Sequence, residues 1–186
     1  MSTTKTTDKT KAKAAYAAEV QHFLGTPSDL PREGVEQISA GLRALLADVF
    51  ALYLKTKNFH WHMSGRHFRD LHLMLDDQSA ELFAMTDPVA ERARRIGGLT
   101  LHSIGEISTH QRIKDNNAEY VDAPDMIAEL CEDNKQLVAS MRSLHGLTSD
   151  VGDCATTSLL ENWIDQSEKR TWFLFEITRT TFGANS

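Results

Sequence analysis

From Glu33 to His62 the apolar side chains Val35, Ile38, Leu42, Leu45, Leu46, Val49 and Tyr53 recur three and four residues apart. That spacing lines one face of a helix, whereas on a strand it would scatter over both faces. The run is long, and little in the chain interrupts it or its successors. Of 186 residues only 10 are Gly and 4 are Pro, about 8% against a usual figure near 12%. Sandwiches and barrels with many tight turns need more breakers than that. The fold class is therefore all-α, in one domain large enough to bury its own core.

The breakers that are present divide the chain. Met63-Ser64-Gly65-Arg66 is a turn, and a second long helix is predicted from about His67 to Ile96, closed by Gly97-Gly98. Residues 99–123 form a long connection with a short helix near 101–111. Pro124 suits the first turn of a third helix over about 124–145, ended by Gly146. A fourth, over about 154–181, carries Leu159, Leu160, Trp163, Ile164, Trp172, Phe173 and Phe175. Four helices with one long crossover between the second and third describe a ferritin-like four-helix bundle over residues 33–182. Ahead of it lies a short segment, 16–32, with an amphipathic helix expected over 14–24 before Gly25, Pro27 and Pro31. No internal repeat or second domain is evident.

Charge is unevenly spread. The formal net charge is -6, yet residues 1–15 set Lys5, Lys9, Lys11 and Lys13 against Asp8 alone, so this arm carries +3 and the remainder -9. The arm is rich in Thr and nearly free of large apolar side chains, so it is expected to be flexible. A basic arm on an acidic body is suited to touching nucleic acid, and equally to solubilising the chain. No apolar run approaches the roughly 18–20 residues of a membrane span. The opening Met1 to Lys5 has no signal-peptide core. Cys131 and Cys154 make no metal spacing and no disulfide framework, consistent with reduced thiols in a cytoplasmic protein.

The chemistry-bearing stretch is His60-Trp61-His62, then His72-x3-Asp76, then Asp87-x3-Glu91. On the second helix, positions 72, 76, 87 and 91 fall at about 0°, 40°, 60° and 100°. One stripe thus holds an imidazole and three carboxylates. Each pair lies one turn apart and can chelate an ion, and imidazole with carboxylate oxygen suits a first-row metal such as iron. The two pairs cannot share one ion within one chain, because eleven residues of helix separate them by about 16 Å. An antiparallel copy about a twofold axis near Ala80–Leu82 would lay 72/76 of one chain against 87/91 of its mate, with His60 closing over the site. The competing reading is a solvated charged face, with Asp87-Pro88 capping a fresh helix. If the helix is continuous, Pro88 should bend it beside Asp87. A centre inside one subunit would need two Glu-x-x-His motifs. The chain has one, Glu19 to His22, outside the bundle.

At these residues the chain resembles the Dps family, DNA-binding proteins from starved cells and small members of the ferritin superfamily. The resemblance runs from about Leu42 to Phe175. It is most specific in LKTKNFHWHMSG (54–65), HFRDLHLMLDDQ (67–78), DPVAERARRIGG (87–98) and ENWIDQSEKRTWF (161–173). It implies a hollow dodecamer with a ferroxidase centre at each twofold interface, formed by His60, His72 and Asp76 of one subunit and Asp87 and Glu91 of its mate. It further implies oxidation of Fe(II), commonly by hydrogen peroxide, storage of ferric mineral, and protection of DNA. A mainly architectural role, binding double-stranded DNA through the basic arms at the nucleoid, is the alternative. Trp61, beside a ligand, is placed to quench radicals or to pack at the dimer interface. Lys57 is placed to pair with a site carboxylate. Turn and cap roles suffice for His62 and His67. Asp150 and Asp153 match carboxylates that line threefold pores in the family, while Asp153 alone is also explained as a helix cap.

Overall fold

The computed structural model describes residues 3–179, in six helices: α1 (Thr3–Leu24), α2 (Arg32–His62), α3 (Phe68–Arg95), α4 (Ile104–His110), α5 (Ala123–Val151) and α6 (Cys154–Thr178). Helices α2 and α3 form one hairpin and α5 and α6 another; α2 packs on α5, α3 on α6, and α4 lies against α2. Ile38, Leu42, Leu45, Val49 and Leu52 of α2 meet Leu75, Leu82 and Val89 of α3 and Leu130, Leu137 and Met141 of α5 in a common core. By length and composition α2 does pass as a membrane span, contrary to the sequence reading, but half of that stretch is buried and its apolar residues are the core of the bundle.

Several boundaries differ from expectation for identifiable reasons. Gly146 does not stop α5. The helix runs through it to Gly152, whose φ of 84° closes it and whose N–H bonds back to Ser149. Helix α3 is continuous through Pro88, so Asp87 is an interior residue and not the cap of a new helix. On α6 the buried positions are Thr156, Leu160, Trp163, Ser167, Arg170 and Leu174, spaced three and four apart. Trp172, Phe173 and Phe175 fall off that stripe and are exposed. Residues 3–15, expected as a flexible arm, continue the helix of 16–24 in α1. Residues 180–182, expected within the bundle, lie outside the described residues.

The crossover is pinned by buried polar groups. Asp48, fully buried on α2, accepts from the backbone N–H groups of Arg112 (2.5 Å) and Ile113 (3.3 Å) and from the Arg112 guanidinium at 2.6 and 2.9 Å. Gln136 of α5 donates to the Arg112 carbonyl at 3.1 Å. A buried charge is tolerated only when its hydrogen bonds are made in this way.

Candidate metal centre

The turn 63–67 returns the chain so that the end of α2 faces the start of α3. His60 and His72 consequently stack, ring centroids 3.8 Å apart and planes 21° from parallel. Each Nδ1 lies against the other residue's backbone carbonyl, at 2.8 Å for His60 and 2.9 Å for His72. The last turn of α2 leaves its carbonyls without helical partners, which frees that of His60 for this role. A carbonyl only accepts, so Nδ1 carries the hydrogen in both rings. Both Nε2 atoms are then left with lone pairs, the tautomer that metal-binding imidazoles need. Phe68 packs on His72 at 5.0 Å.

Asp76 follows His72 by one turn. Lys57 Nζ donates to its Oδ1. That hydrogen bond is the first cause that holds the Asp76 carboxyl below its ordinary range; desolvation opposes it and the Lys57 charge adds to it. It is an anion at any physiological pH. The side chain is half exposed, so the pair is open to water. Trp61, on the outer side of the same turn, is 61% exposed.

Asp87 and Glu91 are exposed at the far end of α3, Glu91 paired with Arg95. The structure therefore brings His60, His72, Asp76 and Lys57 together and leaves Asp87 and Glu91 apart from them. Among the described residues no three His, Cys, Asp or Glu side chains gather where they could hold one metal ion. The donor set nevertheless fits iron: two oriented Nε2 lone pairs for the ferrous state and ionised carboxylates for the harder ferric one.

The other predicted residues separate. Asp153 is 3% exposed. It caps α6 by accepting from the Thr156 N–H at 3.0 Å and pairs with Arg92 at 2.6 Å. Its charge is taken up inside the subunit, which is the capping role. Asp150 is exposed at the end of α5. Lys5, Lys9, Lys11 and Lys13 all fall on α1, and Lys13 is exposed. His62 Nδ1 lies 2.8 Å from the Asn58 carbonyl, one turn back on its own helix. Sequence reasoning missed Arg92, the partner of Asp153, because the two are 61 residues apart.

Comparison with known proteins decides the family. The ferritin-like domain family matches residues 39–181. The DNA protection during starvation protein 1 of Deinococcus radiodurans is 28% identical over 163 residues, 88% of this chain and 79% of that protein. Dps from Thermosynechococcus elongatus superposes with a TM-score of 0.76 at 27% identity, over 81% of this chain and 95% of that one. The chain belongs to the Dps family. DpsC from Streptomyces coelicolor, 26% identical, gives a TM-score of 0.80 over 84% of this Dps-family chain and 91% of its own. The matched span runs from within α2 through α6, and α1 lies outside it.

Proposed function

We propose that the chain is a Dps-type ferroxidase that oxidises Fe(II), preferentially with hydrogen peroxide, and stores the ferric product in a hollow dodecamer. The observation that carries this is the reciprocal pairing of His60 and His72, which turns two Nε2 lone pairs outward beside the ionised Asp76. The helical stripe then supplies Asp87 and Glu91 from the partner, across a twofold axis. Support for a partner on this face comes from Phe83, 55% exposed in the middle of the stripe, and from Ile104 at 79% on the neighbouring α4.

In this reading the imidazoles bind Fe(II) as neutral donors and the three carboxylates stabilise the ferric charge as it develops. Lys57 keeps Asp76 ionised and yields it to the incoming cation. Two Fe(II) each give one electron to peroxide, whose O–O bond breaks to the oxidation level of water. Hydrolysis of the two ferric ions to oxyhydroxide releases four protons in all. The reaction removes both reagents of hydroxyl-radical chemistry.

The test is stopped-flow oxidation of anaerobic Fe(II) mixed with peroxide or with oxygen, with mass in solution measured alongside. Asp76→Ala and Glu91→Ala are each expected to slow the peroxide-dependent rate by about 100-fold while the particle mass stays at that of a dodecamer. Wild-type rates in both variants would overturn the assignment.

A second role in DNA binding is favoured by α1, which carries Lys5, Lys9, Lys11 and Lys13 in its sequence and whose Lys13 is exposed. Many copies would gain by avidity. Replacing Lys5, Lys9, Lys11 and Lys13 with Ala is expected to abolish a plasmid gel shift at low salt and to leave Fe(II) oxidation unchanged. A retained shift would place the contact elsewhere.

A further inference from the structure

Helix α1 is tied to the bundle at its last residue. Arg94, in the last turn of α3, donates from Nη2 to the Leu24 carbonyl at 2.7 Å and from Nη1 to the Gly98 carbonyl. Leu24 ends α1, and Gly98 lies just past the end of α3. One guanidinium therefore serves the C-terminal ends of two helices, where carbonyls lack helical partners and both macrodipoles favour a positive charge. The contact continues beside it. Gly97 has a φ of 91°, and a Cβ there would stand 2.7 Å from the Thr26 carbonyl oxygen. The chain leaving α1 thus lies directly on the end of α3.

Ahead of this root α1 is open to solvent: Phe23 is 86% exposed and Tyr16 69%. The 22 residues of α1 span about 33 Å. Gly25, Pro27 and Pro31 separate it from α2, so the direction of this rod depends on what holds its root. Lys5, Lys9 and Lys13 follow one another at four-residue steps. In a helix those positions run along one side, about 6 Å apart. A loose arm would have to order each lysine separately, whereas a held rod offers them as a set.

We propose that Arg94 is a positioning residue for DNA binding: it fixes the direction of α1, so that the lysines of one arm meet a duplex together. The proposal rests on the reading of α1 as a DNA-binding arm. A rod already fixed in direction gives up less freedom on binding than a loose chain, and the gain recurs in every copy of the arm. Arginine suits the task because its planar fork reaches two carbonyls at once, whereas lysine carries its donors on a single nitrogen. Leu24 and Arg94 are 70 residues apart, so no local pattern in the chain reveals the pairing.

The test uses the full-length assembly with a fluorescent amino acid at position 16. It compares wild type with Arg94→Gln, with Arg94→Lys, and with the variant in which Lys5, Lys9, Lys11 and Lys13 are replaced by Ala. Anisotropy decay of the label reports the motion of α1, and titration with a short duplex at low salt reports affinity. Arg94→Gln is expected to add a fast component to the decay and to weaken duplex binding by about 10-fold. Arg94→Lys should fall between it and wild type, and Fe(II) oxidation should be unchanged in both. Weaker binding with an unchanged decay means that Arg94 touches the duplex itself, which overturns the positioning role. A freed helix that binds as tightly as wild type overturns it too. Wild-type affinity in the lysine variant overturns the DNA reading and the positioning role with it. Lost affinity there, beside full affinity in Arg94→Gln, overturns the positioning role alone.

Discussion

Lys55 and Lys57 stand two residues apart on α2, and each bonds carboxylates from another helix. Lys55 is 4% exposed and donates to Glu129 at 2.8 Å and to Asp133 at 2.7 Å, both on α5. Glu129 is held in turn by Asn116 of the crossover at 2.7 Å. Lys57, one-fifth exposed, reaches the half-exposed Asp76 of α3. A helix turns by about 200° over two residues, so one ammonium points between packed helices and the other toward the open face. Similar ion pairs thereby acquire opposite uses. The buried one is a clamp that cannot open without leaving a charge stranded. The other sits in water, where either partner can be exchanged for an ion at little cost.

The sharpest way to break this contrast is to remove each lysine. Lys55→Met leaves Asp133 buried without its cation, and removal of one member of a buried pair costs about 3–5 kcal/mol. Urea unfolding should show that loss at neutral pH. The pH dependence follows from the sign of the shift. Burial raises the Asp133 carboxyl above its ordinary range, against the opposing pull of the Lys55 hydrogen bond and charge. A group that binds its proton more tightly when folded makes stability fall as pH rises from its unfolded to its folded pKa. Without Lys55 that window widens upward. The variant should therefore be less destabilised at pH 5 than at pH 7. Equal losses at both would mean that the ammonium does not carry the clamp.

The same contrast separates what was legible in the chain from what was not. The apolar period located α2, where Val35, Ile38, Leu42, Leu45, Leu46 and Val49 all face the core, and the turn at 63–66 with Gly97-Gly98 bounded α3. On α6 three inward positions, Thr156, Ser167 and Arg170, are polar. Arg170, with its guanidinium buried, donates to Asn134 at 3.1 Å and to Ser167 at 2.6 Å. That cluster broke the apolar pattern and drew attention instead to the exposed Trp172 and Phe175. Gly146 looked like a stop, but a glycine ends a helix only where φ turns positive, which happens at Gly152. At the centre, the stripe from His72 to Glu91 followed from local periodicity. The orientation of His60 and His72 did not, because it depends on two carbonyls meeting across a turn. Partners such as Asp48 and Arg112, 64 residues apart, leave no local trace.

Lys57→Gln supplies the smaller and more discriminating test. An exposed ion pair contributes little to stability, so the melting curve should not move measurably. The carboxyl titration of Asp76 in the metal-free protein should move, and its direction is fixed. Lys57 is the first cause of the lowered Asp76 pKa, and a neutral amide at that position lets it rise toward the ordinary value near 3.9. A depressed carboxyl contributes its stability above the unfolded pKa and loses it as pH falls through the folded one. Wild type should hold the contribution further into acid than Lys57→Gln. At neutral pH the consequence for metal reverses. Asp76 is ionised in both proteins, and the variant lacks the ammonium that competes for Oδ1, so Co(II) should bind more tightly to it. A variant that binds Co(II) more weakly at pH 7 would show that Lys57 helps to build the centre and does not simply occupy it.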